Sequence, residues 1–188
     1  MALSWGAIWL IVGDSGSGKT SFCQRLVAAA RQAGADVAGL LCPARLENGQ
    51  KVGIEVCDLR RSIQRRLGWR YDLPVQPLLA DEVVAVGEWL LEMPALEWGG
   101  QVLKDALPCD LLVVDELGPL EFLMGKGWQV AFELLDQRNY RLALVTVRES
   151  LRQAARQRWQ VDHETLLANY PSFEFALEDA RSLLNRYL

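Results

Sequence analysis

Residues 13 to 20 read Gly13-Asp14-Ser15-Gly16-Ser17-Gly18-Lys19-Thr20 and fit the pattern G-x-x-x-x-G-K-[ST]. Glycines let the backbone wrap closely around an anion, so that successive N–H groups turn inward. The apolar run from Ala7 to Val12 precedes this loop as a buried strand, and an amphipathic helix from Lys19 to about Arg31 follows it. The stretch therefore predicts a phosphate-binding loop at the positive end of a helix.

The chemistry of this pattern assigns roles to two side chains. Lys19 is expected to reach the β- and γ-phosphates of a nucleotide, and the Thr20 hydroxyl is expected to bind Mg²⁺. Lys19 is therefore also a candidate catalytic residue. The predicted nucleotide contacts are the loop and the start of the helix: Gly13, Asp14, Ser15, Gly16, Ser17, Gly18, Lys19, Thr20 and Ser21.

Two acids follow a second buried strand. Leu111 to Val114 is continuously apolar and ends at Asp115 and Glu116. An acid at the end of a strand beside the first one reaches the Mg²⁺ shell, which makes Asp115 a candidate metal ligand. Glu116 is a candidate catalytic carboxylate that positions or deprotonates an attacking water. A solvated acidic strand end is the alternative interpretation.

The rest of the chain alternates apolar strands with helical segments. Strands are predicted at Val37 to Leu41 and at Leu142 to Val147, so the fold class is α/β, with three layers and a mainly parallel central sheet. The Asn48-Gly49 dipeptide predicts a β-hairpin insertion over about 43–59. A helical tail is expected over about 160–188, and we expect residues 1–188 to form a single domain.

The sequence also predicts secondary structure at four further places. Val84 to Glu92 fits a strand or a short helix, and Pro94 is expected to open a helix toward Leu107. The arginine-rich stretch from Arg60 to Arg70 is most simply a solvated helix face. His163 is expected at the surface start of a helix.

Composition narrows the class of protein. The 188 residues carry 20 basic and 24 acidic side chains, a formal net charge of −4, which argues against a nucleic-acid coat. A hydrophobic fraction of 51% leaves ample material for a core, and no apolar run reaches the roughly 18 residues of a membrane span. The four scattered cysteines indicate reduced thiols and hence a cytoplasmic location.

The sequence resembles the THEP-type nucleoside-triphosphatases over roughly residues 5 to 150. Three segments carry the resemblance: Gly13 to Thr20, Gly39 to Arg45 with the Asn-Gly turn and Val52-Gly53 after it, and Val114 to Glu121. The chain has Ser15 where members often have proline, and Thr20-Ser21 where they often have a Thr-Thr pair.

The resemblance implies a RecA-like core of the phosphate-loop class. It also implies slow, Mg²⁺-dependent hydrolysis of ATP, GTP and other nucleoside triphosphates with little base preference. Glu116 is implied as the catalytic carboxylate and Glu121 as a supporting acid.

Arginines form a further group of candidates. Arg45, or one of Arg60, Arg61, Arg65, Arg66 and Arg70, is a candidate for an internal arginine that stabilises the transition state. Arg148 follows the strand Leu142 to Val147 at the edge where ligands gather, which makes it a candidate phosphate sensor. Arg45 is the second candidate phosphate sensor. A surface salt bridge is the alternative for Arg148.

Three functions remain open from the sequence. The first is a Mg²⁺-dependent nucleoside-triphosphatase that converts ATP, GTP and other triphosphates to the diphosphate and phosphate. The second is a small-molecule kinase with a nucleoside or metabolite hydroxyl as acceptor, and the third is a nucleotide-dependent switch or assembly module acting on a partner protein. The sequence does not identify that protein partner.

Overall fold

A single ten-stranded sheet runs through the fold. The computed structural model describes residues 6–72 and 82–188. The strands are β1 (Ala7–Val12), β2 (Val37–Leu41), β3 (Ala44–Glu47), β4 (Gln50–Asp58), β5 (Ile63–Arg70), β6 (Val83–Val86), β7 (Trp89–Glu92), β8 (Cys109–Leu117), β9 (Tyr140–Val147) and β10 (His163–Leu166). Their order across the sheet is β10-β1-β9-β8-β2-β4-β5-β7-β6, and β3 pairs with β4.

Helices cover both faces of the sheet. They are α1 (Lys19–Gln32), α2 (Met93–Lys104), α3 (Pro119–Phe122), α4 (Val130–Gln137), α5 (Arg152–Arg158) and α6 (Phe173–Leu184). Helices α1 and α6 pack on one face, where Trp9 and Phe22 belong to the same apolar cluster. Helices α2, α4 and α5 pack on the other face with Ile8 and Leu10. The predicted three-layer α/β class is confirmed.

The parallel strands form one half of the sheet, and four of them are almost wholly buried because both of their faces are apolar, namely β1, β2, β8 and β9. Strands β10, β1, β9, β8 and β2 run parallel to one another. Successive residues of β1 alternate between the two clusters, and every residue of the strand is buried. The ends of β1 and β8 therefore meet at one edge, which places the two sequence motifs together.

Beyond β2 the sheet continues as antiparallel strands. The predicted hairpin consists of β3 and β4, with Asn48 and Gly49 at positive φ in the turn. Strand β4 pairs directly with β2 and with β5, so the hairpin extends the main sheet rather than leaving it.

Two expectations in this region are corrected. The stretch from Arg60 to Arg70 is mostly strand β5 and not a helix, because it completes an antiparallel ladder with β4 and β7. Val84 to Glu92 contains two strands, β6 and β7, joined by a turn. The helix predicted after Pro94 is α2, which begins one residue earlier.

The C-terminal segment begins with a strand. The tail predicted as helical over about 160–188 first adds β10 beside β1 and then forms α6. His163 is the first residue of that strand and not the start of a helix. The Trp9 indole donates a 2.9 Å hydrogen bond to the Thr165 hydroxyl, which fixes β10 against the sheet.

No helix within residues 6–72 and 82–188 has both the length and the apolar composition that crossing a bilayer requires.

Candidate active site

The loop between β1 and α1 makes a tight turn that depends on its glycines. Gly16 and Gly18 have φ angles of 79° and 92°, a region that other residues rarely adopt. A Cβ atom on Gly13 would lie 2.5 Å from the Ser17 hydroxyl, so the first glycine is needed for close approach of the backbone. The Ser17 N–H donates to the Asp14 carbonyl at 3.1 Å, which closes the turn.

Lys19 lies inside this loop. Its ammonium donates hydrogen bonds to the carbonyls of Gly13 at 2.8 Å and Asp14 at 2.9 Å, and the side chain is buried. Burial lowers the pKa of Lys19, while the carboxylates of Glu116 and Asp115 oppose that change. The loop therefore holds a desolvated cation whose interaction with a phosphate is little screened by water.

Asp115 is fully buried in β8 between two parallel neighbours. One carboxylate oxygen accepts the Cys42 N–H at 2.9 Å, and the other accepts the Thr146 hydroxyl at 2.7 Å. Burial raises the pKa of Asp115, and the Cys42 N–H with the hydroxyls of Thr146 and Thr20 counteracts the rise. The carboxylate is thus oriented by the strand on each side of it.

The Thr20 hydroxyl and the Asp115 carboxylate face each other and fit a magnesium ion. Both are hard oxygen donors, and a buried carboxylate of this kind gains from a neighbouring cation. The described residues contain no cluster of three or more His, Cys, Asp or Glu side chains suited to a metal. A short protein donor set is what Mg²⁺ uses when phosphates and water complete its shell.

Glu116 has an unusual backbone. Its φ angle is 110°, a conformation that costs a non-glycine residue on the order of 1–3 kcal/mol. Its carboxylate lies 3.4 Å from the Arg148 guanidinium, and the residue lines the cleft above the loop. Strained backbone persists where the surroundings enforce it, and functional sites are where it concentrates.

A cleft of about 320 Å³ brings most of the predicted residues together. One wall is the phosphate loop and the start of α1, namely Ser15, Gly16, Gly18, Lys19, Thr20 and Ser21. The hairpin and the residue before it contribute further lining residues, namely Pro43, Ala44, Leu46 and Lys51. Glu116 also lines the cleft, and the Asp115 carboxylate lies within hydrogen-bonding reach of Thr20.

The two candidate phosphate-sensing arginines are placed differently. Arg148 pairs with Glu116, and its Nε–H is buried with no acceptor among the described residues. Arg45 pairs with Glu47 at 3.2 Å on the exposed hairpin. Its neighbours Ala44 and Leu46 line the cleft. The structure therefore brings Arg148 to the candidate base and holds Arg45 in a surface ion pair.

The arginines of the Arg60 to Arg70 stretch have partners away from the loop. Four of them pair with carboxylates: Arg60 with Asp36, Arg61 with Asp58, Arg66 with Glu92 and Arg70 with Asp72. The fifth, Arg65, stacks over Trp98 at 4.6 Å. The arginines of this stretch therefore contact neighbouring parts of the protein, and they do not form an unpaired basic surface.

Glu121 supports the segment after Glu116. One carboxylate oxygen accepts the Gly118 N–H at 2.9 Å and the other accepts the Trp128 N–H at 3.1 Å. Burial raises the pKa of Glu121, and these backbone N–H groups counteract the rise. The Glu121 side chain thus links the residue before α3 to the end of the loop that follows the helix.

Sequence reasoning missed two members of the site. Thr146 interrupts the apolar run of β9, and that polar residue in a buried strand was a usable signal. Lys51 follows the Asn-Gly turn and gives no signal of its own, because only the sheet pairing brings the hairpin over the loop.

The sequence of this chain is similar to that of known nucleoside-triphosphatases. Residues 9–167 match a family model described as NTPase. The nucleoside-triphosphatase THEP1 of Methanopyrus kandleri is 31% identical over 116 residues, which is 60% of this chain and 58% of that protein. The corresponding protein of Ignicoccus hospitalis is 32% identical over 117 residues, or 62% of this chain and 61% of its own length. The matched region thus spans about three fifths of these relatives.

A solved structure shows the same fold. The solution structure of a human cancer-related nucleoside triphosphatase superimposes with a TM-score of 0.66 at 18% identity, covering 95% of this chain and 97% of that one. The resemblance to the THEP-type proteins is thereby confirmed. Because the family model covers well over half of its residues, this chain belongs to the NTPase family.

Proposed function

We propose that this protein is a Mg²⁺-dependent nucleoside-triphosphatase that converts ATP, GTP and other nucleoside triphosphates to the diphosphate and phosphate. The observation that supports this most directly is that Lys19 and Glu116 line one cleft and interact electrostatically. A phosphate-binding cation and a carboxylate that can activate water both assist hydrolysis of a phosphoanhydride.

Binding of the triphosphate rests on the loop. Its inward N–H groups and the N-terminus of α1 present partial positive charge to the phosphates. Lys19 exchanges its carbonyl partners at Gly13 and Asp14 for phosphate oxygens, which carry full negative charge. This exchange offsets the cost of keeping the ammonium buried.

Thr20 and Asp115 are the residues that would hold Mg²⁺. When bound, the ion neutralises charge on the β- and γ-phosphates. The hydrogen bonds from Cys42 and Thr146 orient the Asp115 carboxylate for this task and oppose the rise in its pKa that burial causes.

Glu116 acts on the attacking water. Its carboxylate takes a proton from the water as the water oxygen bonds to the γ-phosphorus, and the bond to the β,γ-bridging oxygen breaks. Arg148 contacts Glu116 through a terminal nitrogen, and its Nε–H has no acceptor among the described residues. Arg148 is accordingly our candidate for sensing the γ-phosphate.

Phosphate release from ATP, GTP, CTP and UTP, each with and without Mg²⁺, tests this proposal. We expect a similar rate for the four triphosphates and a loss of activity when EDTA removes the metal. Lys19→Ala should abolish triphosphate binding. Glu116→Gln should keep binding and stop phosphate release, whereas Glu178→Gln, on the exposed face of α6, should change neither. Normal hydrolysis by Glu116→Gln would overturn the assignment of the base.

One observation favours the kinase as a second candidate. A small, mostly apolar cavity of about 60 Å³ borders Glu116 on the side of α2, with Trp89, Leu96 and Trp128 in its walls. An acceptor hydroxyl in that cavity would meet the same base. A phosphorylated product from labelled ATP and a metabolite pool would support the kinase, and release of phosphate alone would support hydrolysis.

A further inference from the structure

Lys51 occupies a distinctive place in the cleft. It is the second residue of β4, two residues after Gly49 of the hairpin turn, and it is half-buried. Its side chain lines the nucleotide cleft together with Ser15, Gly16 and Glu116. The hairpin therefore brings a cation to the cleft that the phosphate loop and the candidate base also line.

The ammonium of Lys51 has no carboxylate within ion-pair distance among the described residues, although most cations near it do. Arg45 pairs with Glu47, Arg70 pairs with Asp72, and Arg148 pairs with Glu116. The recorded contact of the Lys51 ammonium is with the ring of Trp89, 4.6 Å from the ring centroid. Such a contact contributes only about 0.5–1 kcal/mol at a partly exposed site.

Two cavities meet at this side chain. Lys51 borders the cleft over the loop and also the neighbouring cavity that contains Trp89 and Arg70. Ser15 and Gly16, the tip of the phosphate loop, border both cavities as well. The flexible four-carbon stem of a lysine can therefore move its charge from the indole to an anion at the tip of the loop.

We propose that Lys51 binds the terminal phosphate of the nucleotide and stabilises the charge that develops on it, as a catalytic cation supplied within the same chain by the hairpin. This inference rests on the proposed binding of a nucleoside triphosphate at residues 13–20. Without nucleotide, Trp89 holds the ammonium; with a triphosphate bound, the stronger interaction with phosphate oxygens replaces that contact. A diphosphate lacks the group that Lys51 recognises.

The test compares ATP with ADP. In a Glu116→Gln background, which preserves ATP, titration calorimetry gives the affinity for each nucleotide with and without Lys51→Ala. We expect ATP affinity to fall about tenfold and ADP affinity to change less than twofold, because the charge acts on the terminal phosphate. With Glu116 intact, Lys51→Ala should lower kcat by about ten- to a hundredfold, and Lys51→Arg should restore part of the loss.

Arg65→Ala is the matched control. Arg65 also stacks on a tryptophan, at the same 4.6 Å, but on Trp98 and outside the residues that line the cleft. Its loss should leave the ATP and ADP affinities unchanged, and melting temperatures will show that all variants are folded. Equal ATP affinity in the presence and absence of the Lys51 side chain would overturn the inference.

The two proposals fail in different ways. A wild-type protein that binds ATP but releases no phosphate contradicts the proposed hydrolysis, and the ATP-to-ADP comparison still decides the role of Lys51. If hydrolysis is observed and Lys51→Ala retains wild-type kcat and ATP affinity, only the role of Lys51 is wrong. A wild-type protein that binds no nucleotide contradicts both proposals.

Discussion

The Thr146 hydroxyl donates a 2.7 Å hydrogen bond to the Asp115 carboxylate, across the pairing of β9 with β8 and inside the buried centre of the sheet. Hydrogen-bond donors favour the ionised form of a buried carboxylate, and they oppose the rise in the pKa of Asp115 that burial causes. The threonine therefore supports the proposed magnesium ligand Asp115 without itself being a proposed ligand.

Replacing Thr146 by valine should destabilise the protein. Valine nearly matches the shape of threonine but leaves one oxygen of the buried Asp115 carboxylate without its donor, so we expect the free energy of unfolding to fall by about 1–3 kcal/mol. Urea denaturation at neutral pH measures the change. In an Asp115→Asn background the same substitution should cost less, since no charge is left unpaired. Equal costs in the two backgrounds would contradict this account.

Replacing Glu116 by glycine should separate stability from activity. Glycine adopts a φ angle of 110° without strain. The backbone strain that is removed should exceed the extra conformational entropy that glycine loses on folding, so the free energy of unfolding should rise by about 1 kcal/mol. Glu116→Gln retains the side-chain volume and the strain, and it should unfold like the wild type. Neither variant should release phosphate. A glycine variant less stable than the glutamine variant would show that the backbone at this position is not strained.

The loop after α3 should tolerate alanine at Gly125 better than at Gly127. Both glycines have positive φ angles, 60° and 66°, so alanine costs backbone strain at either position. A Cβ atom on Gly127 would also lie 2.1 Å from the Glu121 carboxylate, whereas nothing lies within 4 Å of one on Gly125. We expect Gly127→Ala to be less stable than Gly125→Ala by about 1–3 kcal/mol in chemical denaturation. Equal stability would mean that Glu121 can move at no cost.

The central features of the site could be predicted from sequence because they depend on local patterns. The glycine pattern from Gly13 to Thr20 predicts the backbone geometry of the loop directly. The buried parallel strand before Asp115 is recognisable as a continuous apolar run. Parallel strands then place both motifs at one edge of the sheet, whatever the rest of the chain does.

The features that were missed depend on contacts between distant segments. Strand β5 carries exposed arginines that suit a helix face, and only pairing with β4 and β7 makes it a strand. Strand β10 pairs with β1 across more than 150 residues of sequence. Lys51 reaches the cleft for the same reason, because the hairpin is one part of a sheet whose other strands come much later in the chain.

The contact between His163 of β10 and Tyr187 near the end of the chain should make the free energy of unfolding depend on pH. The His163 ring lies 2.5 Å from the Tyr187 hydroxyl and against the edge of Trp9, and burial lowers its pKa from the usual 6.5. Arg186 lowers this pKa further, while Asp162 opposes the change.

The direction of the effect follows from proton linkage. A lowered pKa means that the unfolded chain binds more protons than the folded protein between the folded pKa and 6.5. Stability therefore rises with pH through that window and is lost as the pH falls below about 6.5. Urea denaturation between pH 7.5 and pH 5, at roughly half-unit steps, should show this decline, and His163→Gln should reduce it because glutamine does not titrate. A decline of equal size in His163→Gln would assign it to other groups.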